Sequence, residues 1–186
     1  MSVMTFHTTP LQGVMVAETR QFSDHRGAFS RLFCEQDLAA IIDERRILQV
    51  NHSRTRAQGA IRGFHFQRAP HAEMKFVRCI AGRVWDVAVD LRQGSPTFLC
   101  WHAEELSPQN GRMLVVPEGC AHGFQVLEEN SEMLYLHTAM YQPGSEGGIA
   151  YDDPALAITW PLPPTDVSEG DRRRQHITHE FTGLAA

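Results

Sequence analysis

The chain has 186 residues, a formal net charge of −5 and a pI near 6.0. That balance excludes a general nucleic-acid binder, which needs clustered positive charge. Hydrophobic residues make up 42% and charged residues 21%, an ordinary globular composition. The length suits one domain spanning 1–186, with a core that needs neither disulfides nor metal.

Leu11 to Ala17 reads as a strand, and Phe22 to Phe33 as a second element broken at Asp24-His25-Arg26-Gly27, a turn that presents its arginine. Glu35 to Arg46 is the expected helix. Leu38, Ala39, Ile41 and Ile42 give it an apolar stripe, and Arg45 and Arg46 suit its C-terminus. From Leu48 the pattern turns to period two. Lys75 to Leu91 reads as a hairpin turning at Ala81-Gly82-Arg83, with Trp85, Val87, Val89 and Leu91 on one face of its second arm. Further strands are expected over 98–106, 112–116, 123–127 and 133–141. Beyond Tyr141 a Pro-, Gly- and acid-rich segment is expected to cover the mouth of a barrel, followed by a short helix, with Trp160 packed beneath. Many short strands with few helices predict an all-β sandwich or jelly-roll barrel.

No run is apolar enough to span a membrane, and the first twenty residues hold no signal-peptide core. Cys34, Cys79, Cys100 and Cys120 contain no Cys-x-x-Cys pair, so free thiols in a reducing compartment are expected. These features together read as a cytoplasmic protein.

Two segments carry candidate chemistry. Gly59 to Gln67 and Gly111 to His122 each deliver one histidine, His65 and His122, after a glycine-initiated, half-apolar run. On a regular strand His65 shares its face with Ile61, Gly63 and Gln67, and Arg62 lies opposite with Phe64 and Phe66. A core histidine bonded to backbone is the plain alternative for each; the matched pair favours chemistry. Lys75 would point inward if it shares a face with Val77 and Cys79, where a cation needs a negative ligand or a developing oxyanion. Tyr135 and Tyr141, six apart, would share a strand face and could act as acids if their pKa values were lowered. Arg26, Arg62 and Arg112 are candidates for holding phosphate, there being no Gly-rich phosphate loop.

The two glycine-led segments resemble the paired motifs of the cupin superfamily. Metal-binding cupins place His-x-His and a glutamate in the first motif, where this chain has Gln67 as the second member and Glu73 beyond the usual spacing. Two histidines are a poor shell for a metal, so no metal is expected.

A more specific resemblance rests on Phe22-x-Asp24-x-Arg26-Gly27, Asn51-His52-Ser53, Arg62-Gly63-Phe64-His65-Phe66-Gln67, the run Asp86 to Arg92 and Ser95-Pro96-Thr97-Phe98. It continues through Leu106-Ser107, Pro117 to Phe124, Tyr151-Asp152-Asp153-Pro154 and Trp160-Pro161. Taken in order, these resemble the dTDP-4-dehydrorhamnose 3,5-epimerase family from about Phe22 to Asp171. The resemblance implies a homodimeric cupin-type jelly roll that epimerises a nucleotide-linked 4-keto-6-deoxyhexose without metal or nicotinamide. It implies His65 as general base, Asp171 of Ser168-x-x-Asp171 as its carboxylate, and Tyr135 as general acid. Tyr141 would lie near Tyr135, and Lys75 and His122 would line the sugar ketone. Arg26, Gln49, Asn51, Arg62 and Glu146 match substrate-binding positions.

Arg31, Leu136 and Gly170 stand where the family usually has glutamate, lysine and lysine. The first and last bear on the nucleotide base, and Leu136 on whether C3, C5 or both are inverted. Beside the 3,5-epimerase reading stand a mono-epimerase or keto-isomerase on a dTDP- or CDP-sugar, a metal-dependent oxygenase using His65, His71 and His122, and a non-catalytic sugar binder.

Overall fold

The period-two pattern does produce strands, and the computed structural model, which describes residues 3–185, arranges them in two facing sheets. In chain order the elements are β1 (Met4–Thr8), β2 (Met15–Thr19), β3 (Gln21–Asp24), β4 (Gly27–Ser30) and α1 (Glu35–Ile42). There follow β5 (Gln49–Thr55), β6 (Ile61–Gln67), β7 (Lys75–Ala81), β8 (Val84–Asp90) and β9 (Trp101–Leu106). The last are β10 (Arg112–Val116), β11 (Cys120–Val126), β12 (Ser131–His137), β13 (Glu146–Gly148) and α2 (Glu169–Arg172). One sheet runs β1-β2-β10-β7-β12-β5, the other β13-β6-β11-β8-β9, and β3 and β4 form a separate ribbon. The expected jelly-roll class is the observed one.

Three layers of apolar packing follow from the alternation of side chains. Between the sheets lie Val77, Cys79, Leu114 and Met133 against Ala88, Phe124 and Val126. On the outer face of the six-stranded sheet, α1 seats Leu38 and Ile42 on Phe76, Met113 and Leu136. On the outer face of the five-stranded sheet, Trp85, Val87 and Val89 meet Ile149, Leu156 and Trp160. Trp160 stacks on Phe64 with centroids 5.8 Å apart and meets Trp85 edge-on at 5.4 Å. The segment after Tyr141 therefore splits: Ile149 to Trp160 covers the back of a sheet, and Glu146 with residues 166–174 borders the opening that the sequence suggested it would cover.

Lys75 to Leu91 is not a hairpin. Both arms are buried on both faces, so each sits inside a different sheet: β7 pairs with β10 and β12, and β8 with β11 and β9. The Ala81-Gly82-Arg83 turn crosses between the layers. Gly82 has φ +73°, and a Cβ there would collide with Ser131, so only glycine makes the crossing cheaply. The helix is also shorter than expected. Asp43 adopts φ 55° and ends α1, and Arg45 beyond it pairs with Glu118 at 2.8 Å. The strand expected from Leu11 is β2 and starts at Met15, because Leu11 and Val14 are buried in the turn before it.

The Asp90 to Phe98 motif residues knit a loop. Asp90 accepts from Arg92 (2.9 Å) and from Thr97 (2.6 Å) and Ser95. Burial pushes its carboxyl up, but the donors outweigh that and hold it at about 2.

Candidate active site

β6 and β11 are neighbours, and His65 pairs directly with His122 across them. The two glycine-led segments thus bring both imidazoles to one place. Between His122 and Phe124 the register shifts, so that Gly63 and Phe64 together face Gly123. A Cβ on Gly63 would lie 2.6 Å from the Gly123 Cα, at φ +118°, so glycine is what permits this approach. The shift overturns strict alternation: Arg62 and His65 line the same hollow, and Phe64 packs outward.

That hollow, about 250 Å³, lies between the sheets. His65, Arg62, His122 and Phe124 come from the five-stranded sheet, and Lys75, Tyr135, His137 and Asn51 from the six-stranded one. A second hollow of about 360 Å³ adjoins it, sharing Arg62 and His65 and adding Glu146, Gly170, Asp171 and Arg174. The histidine-lined part of the cleft has a buried floor of Lys75, His122 and Phe124.

α2 delivers Asp171. Ser168 caps it by accepting the Asp171 N–H at 3.0 Å. The His65 Nε2 donates to Asp171 Oδ1 at 2.6 Å, and the Gly63 N–H donates to Oδ2 at 3.3 Å. Burial works to raise the Asp171 carboxyl, but the His65 bond and charge prevail and hold it below the usual carboxylate range. With Nε2 committed to Asp171, Nδ1 is the nitrogen left with a lone pair.

His122 makes a second such pair, its Nε2 donating to the fully buried Asp86 at 2.8 Å. Burial raises the Asp86 carboxyl. Lys75 does share a face with Val77 and Cys79 and is 7% exposed. Its Nζ donates to the His65 carbonyl at 3.2 Å and pairs with Glu73 at 3.2 Å.

Tyr135 shares a 3.0 Å hydrogen bond with Ser53 and meets His122 edge-on at 6.2 Å. Its phenol is shifted far up, by burial first, so the lowered pKa expected of an acid there does not hold. The group stays protonated and able to donate.

Tyr141 is not on β12, which ends at His137, and it is exposed. Its hydroxyl donates to Glu146 at 2.6 Å, its N–H donates to the Gln49 side chain, and Arg174 also pairs with Glu146. Gln49, Tyr141 and Glu146 thus form one linked rim, of which Glu146 lines the cleft. Arg112 pairs with Glu104 at 2.9 Å and lies outside the cleft. Arg26 pairs with Asp24 at 2.6 Å on the exposed β3–β4 ribbon and lines neither hollow. His71 lines neither hollow, and among the described residues no group of three His, Cys, Asp or Glu is placed to hold a metal.

Ser53, His137 and Arg174 also line the walls, and Glu73 backs Lys75 and His137, without having been assigned a role from sequence. His137 was readable, since it lies two residues after Tyr135 and so on the same strand face.

Comparison with known proteins agrees with this geometry. The family model described as dTDP-4-dehydrorhamnose 3,5-epimerase matches residues 8–179. The dTDP-4-dehydrorhamnose 3,5-epimerase of Salmonella typhimurium is 44% identical over 155 residues, 83% of this chain and 84% of that one. The Legionella pneumophila dTDP-6-deoxy-D-glucose-3,5-epimerase, solved with dTDP-4-keto-L-rhamnose, superposes with TM-score 0.90 at 36% identity, over 98% and 99% of the two chains. A 3'-monoepimerase from Streptomyces bikiniensis, solved with dTDP-quinovose, superposes with TM-score 0.85 at 28% identity, over 91% of this chain and 86% of that one. This chain belongs to the dTDP-4-dehydrorhamnose 3,5-epimerase family.

Proposed function

We propose that the protein inverts C3 and C5 of a dTDP-linked 4-keto-6-deoxyhexose, a step toward an L-rhamnose-type deoxysugar. The observation that carries this reading is a carboxylate-held histidine on one sheet and a protonated tyrosine on the facing sheet, with Lys75 buried on the cleft floor. A C4 ketone acidifies the hydrogens on C3 and C5, because the carbanion delocalises into an enolate. His65 Nδ1 removes the proton and Asp171 stabilises the imidazolium. Lys75 and His122 meet the growing charge on the C4 oxygen. Tyr135 returns a proton from the other sheet, which inverts the centre.

Arg62 and Asn51, with the rim of Gln49, Tyr141 and Glu146, hold the remainder of the substrate; guanidinium pairs with phosphate bidentately. The curated 3,5-epimerases share more identity with this chain than the monoepimerase does (44% against 28%), which favours inversion at both carbons.

The test is incubation with dTDP-4-keto-6-deoxyglucose in deuterium oxide, followed by NMR. Solvent deuterium is expected at C3 and C5; its absence from both carbons would discard this function. In Tyr135→Phe, His65 can still remove and return a proton on one face. Deuterium should therefore enter while inverted product falls at least about 100-fold. Inversion at the parent rate in that variant would remove Tyr135 from the acid's role.

The protein is further proposed to act as a cytoplasmic homodimer. Its four cysteines are free, which suits a reducing compartment. Phe29 and Val50 are 68% and 59% exposed, apolar area that a second copy would cover. Arg26 lies outside its own cleft, so a neighbouring copy's cleft is where it would reach substrate. Sedimentation equilibrium should give twice the chain mass; a monomer at micromolar concentration would end this reading.

A further inference from the structure

The buried floor of the cleft holds a cluster that the proposed chemistry leaves unexplained. Glu73 sits in the loop before β7 with its side chain 9% exposed, yet it touches two cationic or potentially cationic groups. One oxygen faces Lys75 Nζ at 3.2 Å, and the other accepts from His137 Nδ1 at 2.8 Å. His137 lies directly opposite Lys75 in the β12–β7 register and stacks on Tyr135 at 6.1 Å. A buried carboxylate is costly unless charge-paired and hydrogen-bonded. Here burial pushes the Glu73 carboxyl up, but His137 and Lys75 prevail and hold it below its ordinary value.

The sequence adds a second observation. Its seventeen basic residues are sixteen arginines and one lysine, Lys75. Every other basic side chain among the seventeen is a guanidinium, and the one lysine ammonium stands in the cleft. An ammonium is a compact point charge whose protonation responds to burial, which guanidinium does not do in proteins.

We propose that Glu73 and His137 are positioning residues for Lys75: Glu73 is the counter-charge that keeps the ammonium aimed at the C4 oxygen, and His137 holds Glu73 in place. This rests on the epimerase reading above. Other charged or titratable groups also face Lys75. β6 contributes His65 and Arg62, β8 and β11 the Asp86–His122 pair, β5 His52, and β12 Tyr135. Asp86, the one carboxylate among these, is engaged by His122, and Glu73 is the carboxylate in direct contact with the ammonium.

The test uses Glu73→Gln, which keeps the shape and an oxygen acceptor for His137 but removes the charge. The kcat should fall at least about 10-fold with KM changed less than about 3-fold. Burial without a counter-charge disfavours the ammonium, so the alkaline limb of the kcat–pH profile should move down by at least about one unit. His137→Gln should shift it in the same direction by less. Because Lys75 is the only lysine, protein labelled with 15N-lysine gives one side-chain Nζ signal, and its titration midpoint should move with the kinetic limb. A folded Glu73→Gln protein with unchanged kcat, pH profile and Nζ midpoint would overturn the proposal. If the parent protein turns over no ketosugar, the functional reading fails, and the Nζ titration still decides the Glu73–Lys75 pairing.

Discussion

His65→Asn is expected to lower kcat by about 1000- to 10,000-fold, the upper part of the range a positioned general base supplies, equivalent to about 4–5.5 kcal/mol of barrier. Asparagine keeps a polar group that Asp171 can accept from, so the fold should survive while the lone pair at Nδ1 is lost. KM should change little, since Arg62, Asn51 and the Glu146 rim are untouched. Asp171→Asn should cost less, about 100- to 1000-fold, because the imidazole remains but its tautomer and its imidazolium lose their carboxylate. The two substitutions together should cost little more than His65→Asn alone, as expected when one group acts through the other. Additive losses in the double variant would mean that Asp171 acts on substrate directly.

Asp171 also carries a pH signature. Its folded-state carboxyl lies below the ordinary value, so its stabilisation is present above the unfolded pKa, about 3.9. That stabilisation is lost as pH falls through the folded value. The Tm difference between the parent and Asp171→Asn should thus be largest near neutrality and close toward acid. A gap that is constant down to about pH 3 would separate Asp171 from this linkage.

How far the chain could be read beforehand depended on whether a signal was local. Strand periodicity, the β3–β4 turn and the capped Ser168-x-x-Asp171 segment are local, and the structure has them. Which sheet a strand joins is not local. β7 and β8 look like hairpin arms because a short glycine turn joins them, but burial on both faces sends them to opposite layers. Strict alternation misplaces Arg62 for a similar reason. A register shift at Gly63-Phe64 depends on the neighbouring strand, which alternation along one strand cannot report. The residues brought into the cleft were legible mainly through the family resemblance. That resemblance named His65, Lys75, His122, Tyr135 and Asp171, all of which line or adjoin one cleft. It did not name Glu73 or His137, whose pairing becomes visible only when the loop before β7 folds against the end of β12.

Lys75→Met is the second large effect, expected to reduce kcat about 100- to 1000-fold by removing a donor at the C4 oxygen. The substitution also leaves Glu73 buried with His137 alone. Breaking a buried pair from one side typically costs about 3–5 kcal/mol of stability, so Lys75→Met should also melt earlier. Adding Glu73→Gln removes the stranded charge and should recover most of the Tm. It should recover none of the activity, because no cation returns to the ketone. Lys75→Arg should keep the charge pair and much of the stability yet remain slow, since a planar fork on a different stem does not place one compact charge where an ammonium sits. Stability and catalysis would then be separated at one position. Recovery of turnover in the Lys75→Met/Glu73→Gln protein would show that Lys75 serves only to neutralise its neighbour, leaving the enolate to His122.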